Sequence, residues 1–203
     1  MAKSAQLWIV VLGTGACSGE GKGGGASCSG EACAGDVTGT WSFVSSCGQG
    51  SRVEDLDVDG CIQITDTLDD VRTEGRLTLA EGGAYGLDVT VTTTFTGTAT
   101  VQCPEYYIDC VAAEESWTSF YGEAACSEDG IGGCSCSATL TEKVDVHGIW
   151  TADGTTVTVD DGVGETTYES CAGEEPPDAL WLRTTFSERK GEFTLSYLLE
   201  RAP

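Results

Sequence analysis

The sequence predicts a mainly β protein, an antiparallel up-and-down β-barrel or sandwich with one helical, cysteine-rich insertion. Three observations lead there. From Asp36 onward, apolar side chains recur with period two, the signature of strands with one buried face. The runs are rich in threonine and valine and are broken by glycine and aspartate at turn positions. There are about eight to ten of them, the spacing of a closed or sandwiched antiparallel sheet. A chain of 203 residues is long enough to bury a real core in one domain.

Residues 1–16 read as an export signal. Lys3 supplies positive charge, and Leu7-Trp8-Ile9-Val10-Val11-Leu12 is apolar but far short of the roughly 18–20 residues that span a bilayer. Thr14-Gly15-Ala16-Cys17 then resembles the bacterial lipoprotein signal, in which a cysteine after small residues is acylated and becomes the new N-terminus. The resemblance implies lipidation of Cys17 and anchoring in the bacterial cell envelope, at the outer membrane. Thr14 departs from the pattern, since an aliphatic residue is usual there, and ordinary signal-peptidase cleavage after Ala16 is the alternative. Residues 17–35 are glycine-rich, the composition of a flexible tether between membrane and domain.

The domain follows over residues 36–203. Trp41, Phe43 and Ser45 share one face of the first strand. Leu87, Val89, Val91, Thr93 and Phe95 line one face of a later strand, against Asp88, Thr90, Thr92 and Thr94 on the other. Ala138, Leu140, Val144 and Val146 repeat the pattern, as do Phe193, Leu195, Tyr197 and Leu199. Glu81-Gly82-Gly83-Ala84 and Asp153-Gly154 set hairpins. The insertion, residues 103–136, breaks the alternation. Pro104 opens a predicted helix over residues 104–121, with Ile108, Val111 and Ala112 at helical spacing and Glu115 on the same stripe. Residues 123–133 are expected to be a loop pinned by cysteines.

Gly39-Thr40-Trp41 at the start of the first strand resembles the G-x-W of lipocalins, and Arg201 stands where lipocalin-like barrels place an arginine over that tryptophan. With Gly148-Ile149-Trp150-Thr151-Ala152-Asp153-Gly154 after a cysteine-bracketed insertion, the layout resembles small cysteine-rich bacterial lipoproteins with a lipocalin-like domain. The resemblance implies a barrel, closed at one end by Trp41 and Arg201, and a partner that is a small apolar or amphipathic ligand. A guanidinium on an indole contributes about 0.5–2 kcal/mol, so these two residues are expected to close the fold more than to touch ligand.

Composition bounds the chemistry. A net charge of −23 argues against nucleic acid and against docking on anionic lipid through a basic patch. Eleven cysteines point to an oxidising compartment. With Cys17 acylated, ten remain for five disulfides: Cys28, Cys33, Cys47, Cys61, Cys103, Cys110, Cys126, Cys134, Cys136 and Cys171. Their spacing does not fix the pairing; Cys28 with Cys33 would form a local loop. No C-x-x-C pair suggests zinc.

Asp55, Asp57, Asp59 and Asp66, with Gly60, follow the spacing of a calcium loop, although glutamate is usual at the last position and neither flank looks helical. The other reading is a strand pair with Leu56, Val58, Ile62 and Ile64 inward and the aspartates in water. His147 is the single histidine and reads as a surface or boundary residue. No G-x-S-x-G elbow is present, and the carboxylate pairs lie in polar runs. The sequence therefore points away from an enzyme, with no cofactor beyond a calcium ion at those aspartates. A non-catalytic surface protein with a filled core is the alternative to a ligand carrier.

Overall fold

The computed structural model describes residues 32–55, 61–101, 103, 107–173, 178–188 and 191–203. Its elements are β1 (Gly39–Asp55), β2 (Ile62–Leu79), β3 (Ala84–Val101), α1 (Cys110–Tyr121), β4 (Glu123–Glu128), β5 (Cys134–Asp153), β6 (Thr156–Asp160), β7 (Glu165–Gly173), β8 (Ala179–Glu188) and β9 (Gly191–Arg201). Each strand pairs antiparallel with the next, except that β3 passes over the insertion to β5, and β9 returns to β1. The sheet thereby closes into a ring of eight strands, with β4 added on the edge of β5 opposite β3.

Local chemistry explains the path. Gly82 and Gly83 have φ of 91° and 85° in the β2–β3 turn, and Gly154 has φ of 61° in the β5–β6 turn. A side chain is strained at such angles, so glycine suits both hairpins. Leu87, Val89 and Val91 face the interior, and Thr93 and Phe95 are buried farther along β3. On β1 the expected phase fails at one place: a bulge shifts the register between Phe43 and Ser45. The extra residue turns Val44 out and removes Ser45 from the inward face that Trp41 and Phe43 occupy.

The buried residues form two clusters, one at each end of the ring. Trp41, Leu79, Val157, Leu180 and Leu199 fill one end; Leu68, Phe95, Phe193, Trp117 and Tyr121 fill the other, beneath α1. The helix starts at Cys110, capped by the Asp109 carboxylate, which accepts from the Val111 amide. Pro104 lies outside the described residues. Of the expected stripe, Ile108 packs against the core just before the helix, but Val111 and Ala112 are exposed, whereas Ala113, Trp117 and Tyr121 pack inward. The reason is covalent and steric, since Cys110 is bonded to Cys134 on β5 and the two large aromatics fill the ring end. Residues 123–128, expected as loop, form β4, and the Cys126–Cys136 disulfide joins residues that are direct cross-strand partners.

Cys61–Cys103 and Cys33–Cys171 complete the described disulfides, and Cys47 is also disulfide-bonded. The expected Cys28–Cys33 loop is therefore not formed. Cys33 is drawn instead to β7, where its amide donates to the Ser170 carbonyl and Gly35 lies against Ala172 with no room for a side chain. Cys28 and Cys17 lie outside the described residues, as do residues 1–16. Four disulfides in one small domain fit an oxidising, extracellular environment. No helix among the described residues is long and apolar enough to cross a membrane.

Candidate functional site

Between the two packed ends lies a cavity of about 80 Å³. Its wall is mostly apolar, built by inward positions of all eight ring strands: Val71, Leu87, Val89, Val91, Val144, Val159 and Leu195 among them. The sequence alternation placed most of these residues inward. Gly48 on β1 lets Leu68 and Val71 pack against the strand backbone, because a β-carbon there would collide with both.

The ring wall is breached on one side. Strand β5 pairs with β4 over residues 134–139 and with β6 over residues 149–153, so that edge has no strand partner between. Strand β8 pairs with β7 only through Arg183; beyond it, Thr184 to Glu188 pair with β9 alone. The short β6–β7 hairpin stands in this gap. Two clefts of about 340 Å³ each flank it. One shares Tyr85, Leu87, Val144, Val159 and Tyr168 with the cavity, and the other shares Tyr168, Leu195 and Tyr197. The interior is thus continuous with the surface through the wall, not through an end.

Tyr85, Tyr168 and Tyr197 are the polar feature of this space. Burial pushes all three phenols up from their ordinary value, Tyr168 to about 12. The Asp161 carboxylate adds to the shift at Tyr85 and Tyr168. All three hydroxyls are therefore neutral near pH 7 and able both to donate and to accept. Sequence reasoning placed Tyr197 in the alternation of β9 but singled out none of the three; the signal available was tyrosine at inward positions otherwise taken by valine and leucine.

At the end that carries Trp41, the indole and the Arg201 side chain are in contact. The Trp41 indole N–H donates to the Val37 carbonyl at 2.9 Å, and the Arg201 guanidinium sits 4.6 Å from the ring centroid. Arg201 Nη1 also donates to the Thr38 carbonyl, and its Nε lies 3.4 Å from Asp178. Both residues are set apart from the cavity lining.

Asp57 and Asp59 lie outside the described residues, and Asp55 ends β1, where its backbone pairs with Gln63. Asp66 is buried in the ring end under α1, with its Oδ2 accepting from Arg52 Nη2 at 2.6 Å and from the Tyr121 hydroxyl at 3.0 Å. A guanidinium thus stands where a bound cation would have to lie against that oxygen. Among the described residues no set of three or more histidine, cysteine or acidic side chains is arranged for a metal. His147 is exposed beside the breach, 3.4 Å from Asp145.

Fold and site together define a disulfide-stapled antiparallel β-ring with an apolar interior that opens through its wall. No protein-family model, curated protein or solved structure matches this chain.

Proposed function

We propose that this is a non-catalytic, lipid-anchored protein of the bacterial cell envelope, tethered through Cys17, that holds a small apolar or amphipathic molecule inside its strand ring. The observation that carries the reading is the continuity of an apolar cavity with two surface clefts across shared side chains. A concave apolar space with a few convergent polar groups is the usual form of a small-molecule site. The test is native mass spectrometry of the full chain purified from its own host, with binding of an uncharged hydrophobic dye as a second readout. A retained small molecule, acyl chains on Cys17, and dye binding lost in Val91→Phe are expected. Bare protein that also fails to bind the dye would overturn the carrier role, and an unmodified Cys17 would overturn the anchor.

One observation favours a second reading. The cavity is only about 80 Å³ and both ends of the ring are filled by large side chains. On that basis the molecule is a rigid envelope protein acting through surface contacts, and Val91→Phe leaves its activity in the host unchanged.

A further inference from the structure

We infer that the interior selects for the head group of its ligand: it accepts an amphiphile with a cationic or neutral hydrogen-bonding head, such as a short primary alkylammonium, and rejects the matching carboxylate. The inference rests on the carrier reading above and adds to it the chemical class of the ligand.

The polar atoms of the cavity lack protein partners. Thr73 is more than nine-tenths buried, lines the cavity, and its Oγ1 makes no hydrogen bond. The hydroxyls of Tyr85, Tyr168 and Tyr197 make none among the described residues. Buried hydroxyls are normally paired, with water or ligand where protein offers nothing. The Thr73 hydroxyl, buried and unpaired against an apolar space, thus points to an occupant with a polar group, and the three tyrosine hydroxyls stand beside the same space without protein partners.

The sign of that group follows from the charges at the breach. The described residues lining the cavity and both clefts include Asp161, Glu165 and His147, and neither lysine nor arginine. His147 has Asp145 beside it. A carboxylate drawn inside would lose its water and meet no cation, an uncompensated cost. An ammonium meets Asp161, which lines the cleft that shares Tyr85 and Tyr168 with the cavity. Asp161 Oδ1 accepts from the amides of Val163 and Gly164, which fixes the carboxylate in the β6–β7 turn and leaves Oδ2 for the ligand. The hydroxyls can accept from the ammonium, and a short alkyl chain can lie among Val71, Val89 and Val91. A neutral alcohol satisfies the hydroxyls without a charge penalty and should fall between the other two.

The experiment is calorimetric titration of the full-length protein at pH 7 with octylammonium, 1-octanol and octanoate, each below its micelle concentration. Octylammonium is expected to bind about tenfold or more tightly than octanoate, a difference of ~1.4 kcal/mol. In Asp161→Asn, which keeps the turn acceptor and removes one charge of many, the two affinities should approach within about threefold, while octanol is unaffected. Octanoate binding as tightly as octylammonium would overturn the head-group selection and leave the cavity reading intact. Failure of all three to bind would sink the cavity reading itself. Adsorption of the cation on the acidic surface would survive both Asp161→Asn and a folded Val91→Phe, and that result would also overturn the inference.

Discussion

Arg201 shows how much one side chain at a ring closure can hold. It covers the indole of Trp41, donates to the Thr38 carbonyl, and lies near Asp178, so it joins the entry to β1, the end of β9 and the start of β8. Arg201→Ala is expected to lower stability by about 1–2 kcal/mol, the cation–π range together with a lost hydrogen bond. Arg201→Lys should recover only part, because an ammonium lacks the planar stack and the second donor. Urea unfolding followed by tryptophan fluorescence measures both, and an unchanged midpoint for Arg201→Ala would remove its closing role. This contact was legible in advance because Gly39-Thr40-Trp41 and Arg201 form a recognisable pair at the two chain ends of the ring. The Arg52–Asp66 pair was not. By alternation Asp66 shares the inward face of Ile62 and Ile64, yet a carboxylate reads as solvated surface, and only the closed sheet shows that Arg52 stands opposite it as a buried partner.

At the scale of elements, α1 is the part whose existence depends most on covalent support. Twelve residues form a marginal helix in water, so its stability comes from Trp117 and Tyr121 packed in the ring end and from the Cys110–Cys134 bridge. Replacing Cys110 and Cys134 together by alanine opens a loop closed over a separation of 24 residues. The expected loss is about 3 kcal/mol. Amide hydrogen exchange should quicken in α1 and β4 first and leave β1, β2 and β9 protected; uniform loss of protection would contradict the placement. The same segment marks where sequence patterning ran out. Its stripe through Val111 and Ala112 was drawn from hydrophobicity alone, but which face a short helix buries is decided by the disulfide and the two large aromatics. Strand β4 was hidden for a related reason: residues 123–128 alternate too weakly to declare a strand, and pairing with β5 makes them one. By contrast the long strands were legible because a period of two over seven or more positions has no competing reading.

For the whole molecule, the interior lining could be read from alternation but its opening could not. The breach exists because β5 runs for 20 residues while β6 runs for 5, and relative strand length is not encoded in any local pattern. What the closed ring does to its three interior tyrosines gives a property of the entire fold. Burial raises the phenols of Tyr85, Tyr168 and Tyr197, with Tyr168 near 12, whereas phenols in the unfolded chain ionise at about 10. Below pH 10 both states hold these protons and the contribution is fully present. Between about 10 and 12 the unfolded chain has released protons that the native chain retains, so stability falls as pH rises. The urea midpoint should accordingly be level from pH 8 to about 9.5 and decline steeply above 10. Phenolate absorbance near 295 nm should show part of the tyrosine signal appearing only as the chain unfolds. Tyr168→Phe removes one of the retained protons, so its stability should decline less steeply than that of the parent between pH 10 and 12. A Tyr168→Phe curve parallel to the parent, or complete phenol titration near pH 10 in the folded protein, would mean that water already fills the ring and that its interior is not the dry, apolar space on which ligand binding depends.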